Sequence, residues 1–141
     1  MGRIVAIDYG QKRVGIAVTD PLKIIAHALE TVHSSEIFTY LTAYFAKETV
    51  EKIIVGSPKQ MNNKDSESMR FVKPFVDKLK KTFPLIPVEM VDERFTSKMA
   101  FQSMIDSGVK KSDRRDKAAV DTVAAAIMLQ DYLQSVQNKM L

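Results

Sequence analysis

The sequence predicts an α/β domain, a mixed five-stranded sheet in βββαβαβα order with helices on both faces. Two observations lead there. Three short Val-, Ile- and Thr-rich runs open the chain with brief turn-like links, and two later apolar runs, at 52–55 and 88–91, each follow a stretch with helical spacing. An antiparallel meander followed by strands reached through right-handed helical crossovers gives a mixed sheet covered on both sides. The 141 residues suit a single domain over 1–141, long enough for a real core.

The first run, 4–8, ends on Asp8, and Tyr9-Gly10 leads towards the second, 14–19. Gly10 and Gly15 permit unusual backbone angles or close approach, and Lys12 and Arg13 put positive charge in the turn. Asp20-Pro21 marks the next turn, before a third run at about 24–32. Ser34-Ser35-Glu36 reads as a helix start, and Ile37, Leu41, Tyr44, Phe45 and Val50 then recur on one helical face. The fourth strand, 52–55, ends at Gly56-Ser57-Pro58, and Asn62-Asn63-Lys64 is a loop signal. From about 66 to 83, Met69, Val72, Phe75, Val76 and Leu79 repeat at helical intervals, with Pro74 arguing against one straight helix. Pro84 and Pro87 bracket the link into the fifth strand, 88–91, which ends at Asp92-Glu93-Arg94. A helix is predicted over about 97–106, stopping at Gly108, and a last one over about 116–134.

Composition narrows the chemistry. The chain is 45% apolar and 27% charged, as soluble globular proteins are. No apolar stretch approaches the roughly 18 residues of a membrane span, and the N-terminus enters a strand-like run directly, so no membrane partner and a cytoplasmic location are expected. The absence of cysteine removes disulfides, thiolate nucleophiles and Cys-based zinc sites. With only His27 and His33 available, any metal must be held mainly by oxygen, which favours Mg²⁺ or Mn²⁺. The net charge of +4 is compatible with a polyanionic partner.

The carboxylates are the candidate site. Asp8 ends the first strand and Asp92-Glu93 the fifth, and the carboxyl ends of strands one, four and five are expected to open on one edge, where open α/β sheets bind ligands. Adjacent strand residues face opposite sides, so only one of Asp92 and Glu93 faces the site while the other meets a cation such as Arg94. Asp121 shares its helical face with Ala118, Ala124, Ala125, Met128 and Tyr132. An acid on such a face must be exposed in a cleft, paired with Arg114 or Lys117, or metal-bound. Three gathered carboxylates repel one another unless cations compensate, and divalent metals both compensate and activate water for phosphodiester hydrolysis. Lys59, after the fourth strand, is placed to meet a phosphate. The basic run containing Lys110, Lys111, Arg114 and Arg115 leads into the Asp121 helix and suits backbone contact without base readout.

Four blocks together resemble the YqgF family, also called RuvX-like Holliday junction resolvases, of RNase H-like fold. They are Asp8-Tyr9-Gly10-Gln11-Lys12-Arg13-Val14-Gly15-Ile16-Ala17, Val55-Gly56-Ser57-Pro58, Val91-Asp92-Glu93-Arg94-Phe95-Thr96-Ser97, and Lys117-Ala118-Ala119-Val120-Asp121-Thr122-Val123-Ala124-Ala125-Ala126. The resemblance runs from Gly2 to about Leu133 and implies a bacterial cytoplasmic nuclease. Its implied work is hydrolysis of structured RNA in 5′-end maturation of pre-16S rRNA, with a divalent metal and contact to a ribosomal subunit. It also implies Asp8, Glu93 and Asp121 as catalytic metal ligands, with Asp92 the alternative to Glu93. Lys12, Arg13 and Arg94 match its basic positions. Two departures concern the loop beside the site: Ser57 replaces a usual hydrophobic residue, and the glycine expected after Pro58 is missing near Asn62-Asn63. The usual paired threonines after the DER triplet are Thr96-Ser97.

Three other readings compete. A DNA four-way junction is the alternative substrate, since fold alone does not settle substrate. A non-catalytic RNA-binding assembly factor would keep the fold but not need the acids. An actin- or sugar-kinase-like ATP-binding protein also opens with a strand, Asp-x-Gly and a hairpin, but needs two such domains around its cleft.

Overall fold

Alternation along the strands sorts the apolar side chains into two layers, one on each face of the sheet. The computed structural model describes residues 2–10, 12–57, 69–92 and 117–140, with side chains for all of these except 57, 69, 70, 92, 117–122 and 137–140. The strands are β1 (Arg3–Tyr9), β2 (Arg13–Thr19), β3 (Ala26–His33), β4 (Val50–Ser57) and β5 (Val88–Asp92). The helices are α1 (Ile37–Lys47), α2 (Met69–Thr82) and α3 (Lys117–Met140). The sheet order is β3-β2-β1-β4-β5, with the first three strands antiparallel and β1, β4 and β5 mutually parallel. This is the expected meander followed by two crossovers. The helix expected over 97–106 lies outside the described residues.

On one face Val5, Ile7, Val14, Ile16, Val18, Ile53 and Val55 pack with Ile37 and Leu41 of α1 and Val72, Phe75, Val76 and Leu79 of α2. On the other, Ile4, Ala6, Ala17 and Ile54 pack with Ala125, Met128, Leu129 and Leu133 of α3. Odd residues of β1 thus serve the first layer and even residues the second, as a pleated strand requires.

The element ends depart from expectation for local reasons. β3 starts at Ala26, two residues late, because the Asp20 carboxylate accepts the N–H groups of Leu22, Ile24 and Ile25 and holds them in a turn. The Ile25 N–H above all, then those of Ile24 and Leu22, keeps that carboxyl below its usual range. Ser34–Glu36 forms a single 3₁₀ turn before α1. α2 continues through Pro74, since burial of the Val72, Phe75, Val76 and Leu79 stripe outweighs one lost backbone bond. α3 runs to Met140, six residues past the predicted end, through a stretch with no Gly or Pro to stop it.

One buried polar group locks the start of β1. The Thr19 hydroxyl is fully buried and accepts the Ile4 N–H at 2.9 Å, while Arg3 Nη1 donates to the Thr19 carbonyl at 2.9 Å. Thr19→Val keeps the volume but leaves the Ile4 N–H unpaired in the core. It is expected to cost about 1–3 kcal/mol, read as a lowered urea midpoint at unchanged slope.

Candidate active site

Because β1, β4 and β5 run parallel, their carboxyl ends open on one edge, and Asp8 is the penultimate residue of β1. Alternation from Ile4 and Ala6 puts Asp8 on the α3 face, where it is half-buried. Its partner across β2 is Gly15, whose own partner on β3 is Thr31. On the other side Gly56 follows Val55, the partner of Ile7. The carboxylate therefore stands between two positions without side chains, which leaves room above the sheet for an ion or a phosphate.

The direction of α3 is set by contacts in its carboxyl-terminal half. Tyr132, Leu133 and Val136 line a groove with Ile4 and Lys52, at the start of β1 and β4. There the Lys52 ammonium meets both the Tyr132 hydroxyl and the Glu89 carboxylate, and the Tyr132 hydroxyl donates to Glu89 at 3.1 Å. Burial pulls the Lys52 pKa down, but these two partners outweigh it and hold it above the ordinary lysine value. α3 thus runs antiparallel to β1, with its amino end towards Asp8. From position 133 back to 121 a helix rises about 18 Å, and from Ile4 to Asp8 a strand advances about 13 Å. Helix position 121 is therefore carried at least as far along the sheet as Asp8, one turn before the buried Ala125. Ala124 and Ala125, both buried, let the helix lie close to the sheet.

The turn between β1 and β2 is held tightly. Gly10 N–H donates to the Arg13 carbonyl at 3.0 Å, and a Cβ at Gly10 would come within 2.7 Å of that oxygen. Only glycine fits there without moving the turn that presents Lys12 and Arg13. Both are exposed, and alternation from Gly15 puts Arg13 on the face of Asp8. The Lys12 carbonyl accepts the Ser34 N–H at 3.1 Å, which ties the turn to the start of the α1 region.

Of the predicted site residues, Glu93, Lys59, Arg94, Lys110, Lys111, Arg114 and Arg115 lie outside the described residues. Asp92 closes β5 opposite Ser57. Among the described residues no three His, Asp or Glu side chains gather to hold a metal; of the three predicted ligands, only Asp8 has its side chain in that set. The donor type fits a hard cation, since the predicted ligands are all carboxylates. Alternation through the hairpin already implies Gly15 beside Asp8 and Arg13 on the same face, whereas Gly56 comes beside Asp8 only through the parallel β1–β4 register.

The family profile described as "RuvX: Holliday junction resolvase" matches residues 2–135. A relative from Phocaeicola vulgatus, named "Putative pre-16S rRNA nuclease", is 58% identical over 135 residues, covering 96% of this chain and 97% of its own. Relatives of the same name from Flavobacterium psychrophilum and Porphyromonas gingivalis are 58% and 52% identical, covering 94% and 96% of this chain and 97% and 98% of theirs. Among solved structures, one described as "T. thermophilus RuvC in complex with Holliday junction substrate" superposes with a TM-score of 0.60 at 15% identity over 98% of this chain and 97% of that one. At that identity the likeness is one of fold, the RNase H-like α/β sheet.

Proposed function

The chain belongs to the RuvX family, and from that membership we propose that it is an endonuclease hydrolysing phosphodiester bonds of structured RNA, in 5′-end maturation of pre-16S rRNA. One observation carries the chemistry: Asp8 stands at the carboxyl end of β1, between glycines, on the face and at the end that receive the amino end of α3. The name shared by relatives 52–58% identical over nearly the whole chain supports precursor rRNA over a DNA junction.

In this reading Asp8, Glu93 and Asp121 hold Mg²⁺ or Mn²⁺, with Asp92 the alternative on β5. The bound metal supplies a water activated at neutral pH and charge to stabilise the leaving oxygen. The chain's own residues orient the substrate: Lys12, Arg13, Lys59 and Arg94 meet phosphates beside the acids, and Lys110, Lys111, Arg114 and Arg115 hold the backbone further out. No helix among the described residues is long and apolar enough to cross a membrane. The proposed substrate places the work in the cytoplasm, in contact with a ribosomal subunit.

The test is incubation of the purified protein with precursor 16S rRNA and with a four-way DNA junction, each with and without Mg²⁺ or Mn²⁺. Metal-dependent cleavage of the rRNA alone is expected. Cleavage of the junction alone would move the substrate to DNA, and binding of rRNA without cleavage under any metal would leave an assembly factor in place of an enzyme.

A further inference from the structure

The carboxyl end of β1 carries a second feature on the face opposite Asp8. Tyr9, Ser34, Phe38, Phe71, Phe75 and Lys78 line an open cleft of about 540 Å³, within the range of pockets that take small ligands. Its floor is aromatic: Tyr9 stacks on Phe75 with centroids 4.1 Å apart, and Phe38 meets Phe75 edge-on at 5.5 Å. Phe71 stands one helical turn before Phe75 and is 43% exposed. Among the described residues no aromatic ring stacks on Phe71. At the rim, Lys78 Nζ lies 4.4 Å above the Phe38 ring, so a cation and an aromatic face are presented together.

Burial alone does not account for this arrangement. A large ring with nearly half its surface in water gains little by filling the core, and exposed Lys73, Lys78, Lys80 and Lys81 against Asp77 make the outer face of α2 cationic. The cleft is also joined to the candidate active site. Tyr9 is the residue after Asp8, and Ser34, on the cleft wall, is tied by its N–H to the carbonyl of Lys12. The two lie at the same end of β1 on opposite faces of the sheet, joined through the turn that carries Lys12. Aromatic faces with a cation at the rim, on a cationic surface, suit a base and its phosphate. A base inside a duplex is already stacked on both sides and cannot enter such a cleft.

We propose that this cleft takes an unpaired base of the RNA substrate, stacked on Phe71 with its phosphate at Lys78, so that the protein engages a single-stranded segment next to the bond it cuts. The proposal rests on the nuclease reading for the identity of the substrate, but its test does not depend on cleavage. Fluorescein-labelled ten-residue oligouridine and a blunt RNA duplex of equal length are titrated in EDTA against the full chain and its variants. Phe71→Ala is expected to weaken oligouridine binding about tenfold and leave duplex binding within about twofold, and Phe71→Trp to keep it. Lys78→Gln should reduce the salt slope of oligouridine binding by about 0.7. Phe71 and Lys78 lie at the surface, so the variants should still unfold in one cooperative transition by circular dichroism, with Phe71→Ala lowered by no more than about 6 °C.

Equal binding of oligouridine by Phe71→Ala and the unsubstituted chain would overturn the proposal, as would absence of oligouridine binding altogether. A change of oligomeric state in Phe71→Ala with RNA binding unchanged would reassign the cleft to a contact between copies and likewise overturn it. Preference for oligouridine through Phe71 in a protein that cuts no precursor rRNA would support the cleft and sink the nuclease reading. Metal-dependent cutting without that preference would do the reverse.

Discussion

Asp8→Asn is expected to slow single-turnover cleavage of precursor 16S rRNA by about 10³-fold, or about 4 kcal/mol of transition-state stabilisation, with the fold intact. The substitution keeps the shape of the side chain and removes its charge. Two consequences separate a metal ligand from a structural acid. Asp8 is half-buried at a strand end, outside both apolar clusters, and asparagine keeps its size and hydrogen-bonding reach, so the variant should still melt in one cooperative transition. In EDTA, removal of a negative charge from the edge that receives phosphates should leave RNA affinity the same or higher. Loss of cleavage with retained fold and retained binding is the expected combination, checked by cleavage, thermal melting and anisotropy on one preparation. Undiminished cleavage by Asp8→Asn would remove this carboxylate from the chemistry.

The sheet was legible because its signals are local and redundant. Val-Ile runs bounded by Gly, Pro and Asp gave five strands in the right order, and the apolar stripe of 72, 75, 76 and 79 gave α2 despite Pro74. Ends were less legible, since they are set by contacts that periodicity does not carry: the Asp20 carboxylate gathers three N–H groups and delays β3, and nothing local stops α3 at 134. At the site, Asp8 was visible as a carboxylate ending an apolar run, and Asp121 as an acid on an apolar helical face. What neither signal carries is the direction of α3 over the sheet, which is set by where Tyr132 and Leu133 meet Ile4 and Lys52, a contact between distant parts of the chain. The cleft beside Tyr9 was illegible for the same reason: it needs β1, the start of α1 and α2 assembled together. Phe71, Pro74, Phe75 and Lys78 at i, i+3, i+4 and i+7 read in one dimension as one more core-facing stripe.

The strand-five acid is the second expected result of large size, and the strand that leads to it has one side on α3. Glu89 reaches Tyr132 of α3, and Val91 packs against the α3 cluster, so 89 and 91 share the face of Asp8. Val88 and Met90 pack on the α1 and α2 side. In the proposed ligand set the strand-five acid is Glu93, with Asp92 the alternative. Glu93→Gln is therefore expected to lower cleavage of precursor rRNA by about 10³-fold, and Asp92→Asn by less than about tenfold. The double substitution Asp8→Asn with Glu93→Gln should be hardly slower than either alone, because ligands of one metal centre fail as a unit. Additive losses would mean that the two acids act separately. A severe loss in Asp92→Asn with Glu93→Gln near normal would make the ligand set Asp8, Asp92 and Asp121. Single-turnover rates for the four proteins at saturating Mg²⁺ decide among these outcomes, since substrate affinity then drops out of the comparison.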